Sequence, residues 1–164
     1  LDAREEDTNQ DGKPDRFITY DGNDSATRVE VDRNNDGARD GFYQYQGGVV
    51  VFEEHDTNSD GKVDRRVEYV AGVREVEIED ANLDGTMDAH TYFAANGVPI
   101  RIERDKNQDG KTDVWEFFEG NDPAKVVIVR KEEDSNGDGS VDVTSYYEKG
   151  KLVRKEVSDP SVLN

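Results

Sequence analysis

No cysteine occurs in the 164 residues, so neither disulfides nor thiolate-bound metals can hold this fold together. No hydrophobic run approaches the roughly 20 residues that cross a bilayer as a helix. No signal-like stretch opens the chain, and a start at Leu1 instead of Met implies a processed or trimmed product. Histidine is scarce: His55 and His90 occupy non-equivalent places, and both read as ordinary surface or sheet residues. With no nucleophile setting and no glycine-rich phosphate cradle either, an enzyme is not expected. Basic residues number 21 against 39 acidic ones, and without a basic footprint nucleic acid is excluded as a partner. Apolar residues make up only 32 %, too few for a large central core, but 7 Tyr, 6 Phe and one Trp recur at regular places that a disordered chain would not need.

What the chain does contain, six times and without substitution, is the phrase Asp-x-Asn-x-Asp-Gly-x-x-Asp. It starts at Asp7, Asp32, Asp56, Asp80, Asp105 and Asp134. A flexible loop around a hard divalent cation needs oxygen donors on alternate residues, a glycine at the sharp turn in position six and a carbonyl just after it. In the first loop the expected ligands are the side chains of Asp7, Asn9 and Asp11, the carbonyl of Lys13 and the carboxylate of Asp15. The same places are held by Asp32, Asn34, Asp36, Ala38 and Asp40 in loop two, and by Asp56, Asn58, Asp60, Lys62 and Asp64 in loop three. Loop four offers Asp80, Asn82, Asp84, Thr86 and Asp88; loop five offers Asp105, Asn107, Asp109, Lys111 and Asp113. Loop six offers Asp134, Asn136, Asp138, Ser140 and Asp142. The variety at position seven, with lysine in three loops, fits a residue that contributes its backbone carbonyl alone.

Charge follows the same pattern. Three aspartates in each of six loops make 18 carboxylates, which equals the formal net charge of -18, and the remaining 21 acids balance the 21 bases. The scaffold is therefore neutral and carries six concentrated anionic sites. About six Ca2+ ions would bring the total to about -6, within the range that favours solubility. Magnesium prefers to keep its waters, and zinc and copper would seek nitrogen or sulfur donors that the loops lack, so calcium is the expected ion.

The loop starts lie 25, 24, 24, 25 and 29 residues apart, which marks a tandem array of six units: 1–31, 32–55, 56–79, 80–104, 105–133 and 134–164. After each loop comes a strand-like run, a glycine-bearing turn and a returning strand. The first strands are expected at 16–20, 41–45, 65–69, 89–93, 114–118 and 143–147. The returning ones are expected at 27–31, 49–53, 74–78, 100–103, 126–131 and 152–157. The fold class is therefore all-β: repeated hairpins of about 24 residues in an antiparallel meander of about twelve strands, with the calcium loops along one edge. An open coiled sheet or superhelix is preferred, and a closed barrel-like tube is the alternative. The fifth residue after each loop is aromatic (Tyr20, Tyr45, Tyr69, Phe93, Phe118, Tyr147), and these rings share one face as a core stripe or, alternatively, as a platform for sugars. At roughly 4.8 Å per strand, six ions would form a row about 50 Å long.

The first five loop positions resemble those of EF-hand, thrombospondin type three and dockerin loops. An EF-hand, however, takes a bidentate Glu at position twelve on a helix, whereas Ile18, Tyr43, Val67, Thr91, Glu116 and Ser145 stand there on expected strands. With Asp at position nine, the loops most resemble those in the β-hairpins of integrin α-subunit propellers, which implies a site closed without a helix. In rhythm and composition the units also resemble acidic repeats of secreted or surface-anchored bacterial proteins. The expected function is a secreted or cell-surface structural or adhesion module rigidified by calcium, in an extracellular or periplasmic compartment. The alternatives are a recognition module whose exposed aromatics bind a glycan or another surface protein, and a calcium buffer or sensor. Substantial disorder is expected in the metal-free chain.

Overall fold

A computed structural model of the protein describes residues 2–163. It is all-β, and it divides into two compact units, Leu1–Met87 and Asp88–Asn164. The first holds strands β1 (Ala3–Glu6), β2 (Arg16–Tyr20), β3 (Ala26–Val31), β4 (Gly41–Gln46), β5 (Val49–His55), β6 (Arg65–Val70) and β7 (Val73–Glu79). The second holds β8 (Ala89–Phe93), β9 (Pro99–Arg104), β10 (Val114–Glu119), β11 (Val127–Glu133), β12 (Val143–Glu148) and β13 (Lys151–Val157). Within each unit every strand pairs antiparallel with its sequence neighbours, so both are meanders, and neither closes into a barrel. The boundary falls inside the fourth loop, where composition shows no linker.

All twelve expected strands are present, most extended by a residue or two. The thirteenth, β1, has the sequence Ala-Arg-Glu-Glu, which carries no β-forming signal. It is a strand because Arg4 and Glu5 find partners in Ile18 and Phe17, a tertiary pairing that overrides propensity. The 29-residue spacing before loop six is taken up by a 3-10 turn, Pro123–Lys125, capped by the Asp122 carboxylate, which accepts from Ala124 N–H at 3.0 Å. The connections alternate strictly. Within each unit the aspartate loops join one end of the strands and the tight turns join the other, so the loops of a unit share one edge.

Each hairpin carries a bulge at the same place. In the first, Thr19 faces Arg28 while Tyr20 faces Ala26, which leaves Thr27 unopposed. By the same shift Val51, Glu75, Ile100, Val129 and Val153 are the extra residues in the other five. The bulge lies opposite the repeated aromatic residue in every case. It bends the strand and turns apolar side chains outward, so Ile100 and Val153 stand 45 % and 54 % exposed.

The aromatic column is not the core. Its six rings are all half-buried. The fully covered apolar residues are the smaller Ile18, Val29, Val67, Ala89, Val98, Val114 and Val143. Ala89, Val114 and Val143 each follow directly on the last aspartate of a loop, while Val98 is buried at the tight-turn end, so in the second unit most of the covered hydrocarbon lies beneath the loops. On the opposite face of that unit, Tyr92, Arg101, Phe117, Arg130, Tyr146 and Arg154 stand in register across the six strands, aromatic and arginine in alternation. The Arg101, Arg130 and Arg154 guanidinium groups lie 4.1, 4.0 and 4.0 Å from the ring centres of Tyr92, Phe117 and Tyr146. Glu103, Glu132 and Glu156 pair with the same arginines at 3.1–3.3 Å. This face is thus covered by flat cations held between rings and carboxylates, each stack contributing about 0.5–1 kcal/mol.

Because Val67 is wholly buried, Val67→Ala should lower unfolding free energy by roughly 2 kcal/mol. Val153→Thr, at an exposed bulge, should change it by less than about 0.5 kcal/mol. Urea midpoints in excess calcium measure both.

Candidate metal centre

Every loop places two residues in the left-handed region. One is the glycine at position six, with φ of 86–95° in the six loops. The other is position four: Gln10, Asn35, Ser59, Leu83 and Gln108 have φ of 59–64°, and Gly137 has φ 75°. The sequence gives little sign of this, since only loop six spells the place with glycine. Leu83 adopts it at a cost of about 1 kcal/mol. These two reversals curl the loop so that the side chains at positions one, three and five return to its backbone.

The resulting hydrogen bonds repeat with little variation. The position-one carboxylate accepts from the glycine N–H at 2.6–2.9 Å in all six loops. The Asn Oδ1 at position three accepts from the position-five N–H at 2.8–2.9 Å. The position-five carboxylate accepts from the position-seven N–H at 2.7–2.9 Å. The closing aspartates Asp15, Asp40, Asp64, Asp113 and Asp142 accept from the position-two N–H at 2.7–3.1 Å, and from position three as well. Loop four crosses the unit boundary, with Asp80, Asn82, Asp84 and Thr86 in the first unit and Asp88 in the second.

Burial separates the ligand positions. Asp15, Asp32, Asp40, Asp56, Asp64, Asp80, Asp113, Asp134 and Asp142 are all buried, nine carboxylates against seven buried apolar side chains among the described residues. Position five is exposed in every loop. The ion pairs run instead between strand residues, such as Arg28 with Glu30 and Arg66 with Glu54. Burial alone would push the Asp15 carboxyl up, yet the Thr8 hydroxyl and the Thr8 and Asn9 N–H groups hold it below its ordinary value. The same balance holds at Asp64, where Thr57 and Asn58 donate, and at Asp134, where Gly139 and Gly137 donate. These carboxylates are kept ionised inside the protein by backbone dipoles.

Two observations bear on a cation. In loop three, carboxylate oxygens of Asp56, Asp60 and Asp64 all come within 4.8 Å of one another, the one such acidic triad among the described residues. In loop two, Asp32 is 93 % covered, and its Oδ1 is shut off from solvent with no hydrogen-bond donor, while Gly37 N–H occupies the other oxygen. A buried anionic oxygen without a donor is costly unless a positive charge faces it. The donor set is oxygen throughout, which suits a hard divalent ion and gives a thiophilic or imidazole-seeking metal nothing. Asp7, Asn9, Asp11 and Asp15 in loop one, and the matching residues of loops five and six, are gathered by the same hydrogen bonds, without a three-carboxylate approach that close.

The loops are also joined to one another. The closing aspartate donates its N–H to the residue before its own loop, as Asp40 does to Val31 O at 2.8 Å. Its carbonyl accepts the N–H that opens the next loop, as Asp15 does from Asp32 at 2.9 Å and Asp40 from Asp56 at 2.8 Å. In the second unit Asp113 accepts from Asp134, and Asp142 accepts from Ser158, both at 2.8 Å. Ser158 thereby makes the backbone bond that an opening aspartate makes in the preceding loops.

Of the two expected places, surface or sheet, His55 takes the sheet, as the last residue of β5. It is 5 % exposed and sits in a polar network, not on a surface. Arginine can only donate, so the Arg33 guanidinium, 2.7 Å from Nδ1, fixes that nitrogen as an acceptor. Nε2–H then donates to Glu53 at 3.1 Å, and the ring meets Tyr43 edge-on at 5.5 Å. Gly41 makes room for this arginine, because a Cβ there would stand 2.9 Å from Arg33 Nη2. Burial, aided by the charge on Arg33 and opposed by Glu53, pushes the His55 pKa below 6.5.

Both kinds of shift make stability fall with acid, because in each window the unfolded chain binds more protons than the folded one. The His55 contribution should be lost as pH drops below about 6.5, and that of Asp15, Asp64 and Asp134 as it drops below about 4. Thermal melts across pH should show both declines. His55→Gln should remove the first decline and leave the second. Compared with known proteins, the chain matches no family model and no curated protein, so its function is read from the loops themselves.

Proposed function

We propose that the protein is a calcium-binding structural module of a secreted or cell-surface protein, made rigid by about six Ca2+ ions held in its aspartate loops. The observation that carries this reading is the approach of the Asp56, Asp60 and Asp64 oxygens to within 4.8 Å in a loop whose ligand set recurs six times. The donorless Asp32 Oδ1 supports it independently. In loop three the ion takes the side chains of Asp56, Asn58, Asp60 and Asp64 and the Lys62 carbonyl, with water completing the six to eight oxygens calcium accepts.

Affinity decides the compartment. Three carboxylates without a bidentate glutamate at position twelve correspond to dissociation constants on the order of 10⁻⁵ to 10⁻³ M. Such loops are empty in cytosol and filled at millimolar extracellular calcium. There each ion adds roughly 0.5 to 3 kcal/mol, so six together add on the order of 10 kcal/mol to a sheet with a small apolar core. Adhesion or spacing between surfaces is the use that such a module serves. The ring faces on the arginine-bearing side of the second unit are already stacked against guanidinium groups, which leaves less aromatic surface there for a sugar.

Excess chelator should abolish the far-ultraviolet β signal cooperatively and calcium should restore it; an unchanged spectrum and melting temperature would remove the structural role. Calorimetric titration of the full chain should count about six ions. The double variant Asp60→Asn and Asp64→Asn should lose one of them, and a count that stays the same would refute the ligand assignment.

A further inference from the structure

Neighbouring loops touch through side-chain atoms that ion binding leaves free. Asn9 of loop one donates through Nδ2 to Asn35 Oδ1 of loop two at 2.9 Å. Asn34 of loop two donates through Nδ2 to Ser59 Oγ of loop three at 2.8 Å. In both cases a position-three amide reaches the left-handed residue at position four of the next loop. From loop three the corresponding step leads from Asn58 to Leu83, which has no acceptor. In the second unit Asn107 Nδ2 lies 3.6 Å from where a Cβ of Gly137 would stand, the same approach again with no side chain to receive it.

The position-three asparagine thus has its amide divided between two loops. Its Oδ1 already serves the position-five N–H of its own loop and carries a second lone pair, the one assigned to the ion. Its Nδ2 is shared between the position-five carboxylate of its own loop, at 3.3 Å from Asn9 to Asp11 and 2.9 Å from Asn34 to Asp36, and the following loop, so the order of that loop sets part of the amide freedom the ion must freeze. Loop two stands in the middle of this chain, accepting from Asn9 and donating to Ser59. It is also the loop with a buried carboxylate oxygen, Asp32 Oδ1, that no protein donor meets.

We propose that loops one, two and three take up their ions with positive cooperativity, transmitted by the contact from position three to position four, and that Leu83 ends the coupled block. This rests on the calcium reading above. The backbone bond from each closing carbonyl to the next loop does not set the limit, since Asp80 N–H still donates to Asp64 O at 2.8 Å across the step that Leu83 interrupts. Immobilising one flexible side chain in advance is worth roughly a two- to tenfold gain in affinity. By linkage the gain is reciprocal, so filling loop one favours loop two as much as the reverse.

The test is a calcium titration of the full chain followed by the amide resonances of Gly12, Gly37, Gly61 and Gly85, one reporter for each of the first four loops. Gly12, Gly37 and Gly61 should shift together over a narrow calcium range, and Gly85 over its own. Asn35→Gly and Ser59→Gly keep the left-handed backbone and replace no ligand residue, removing only the side-chain acceptor that meets Asn9 or Asn34. The first should weaken loop one, and the second loop two, by roughly two- to tenfold, each becoming independent of its neighbour. Leu83→Asn should tighten loop three by a similar factor. Independent titration of the first three reporters, or unchanged affinities in the glycine variants, would overturn the coupling while leaving the calcium reading intact. If no reporter responds to calcium, the calcium reading itself fails and the coupling with it.

Discussion

Everything in this protein depends on keeping carboxylates ionised inside a sheet that has little hydrocarbon to offer. Buried aspartates outnumber buried apolar side chains among the described residues, and no lysine or arginine bridges hold them. Backbone N–H groups do so instead, five loops showing the same pattern at the closing aspartate. A group of this kind gains from backbone dipoles without the desolvation cost of a second charge. It also keeps lone pairs available for a cation, which a salt bridge would have consumed.

The closing aspartate is where the loop and the sheet become one structure. Its carboxylate fixes positions two and three, its N–H holds the end of the preceding strand, and its carbonyl accepts the start of the next loop. Directly behind it stand Ala89, Val114 and Val143, three of the four buried apolar residues described in the second unit. Loosening that carboxylate therefore disturbs the strand pairing and the small core together. This is the physical basis for the proposal that ions held there would be part of the fold rather than cargo.

At the far end of each hairpin a different device operates. The bulge opposite the repeated aromatic residue recurs in all six hairpins, and it sets which apolar side chains face outward. Across the second unit the alternating aromatic and arginine row then covers a face that has no second sheet to lie against. The two ends of the repeat thus divide the work, polar order at the loops and stacked cations on the strands.

The period, the hairpin composition and the repeated loop were legible in the amino-acid order because each is local: an Asp or Gly at a fixed offset performs its part within one loop. The meander followed from the same rhythm, since loops and tight turns alternate. What pairing across strands decides was not legible. The Ala3–Glu6 segment became a strand through Ile18 and Phe17, the aromatic column gave up the core to smaller aliphatic residues, and Leu83 accepted a left-handed backbone that its type disfavours. His55 looked ordinary because Arg33, Tyr43 and Glu53 meet it only when strands from different repeats lie side by side. The sequence by itself determined the chemistry of each loop; the tertiary structure decided which carboxylates are buried and which loops touch, because burial and contact belong to neighbouring strands and not to any one repeat.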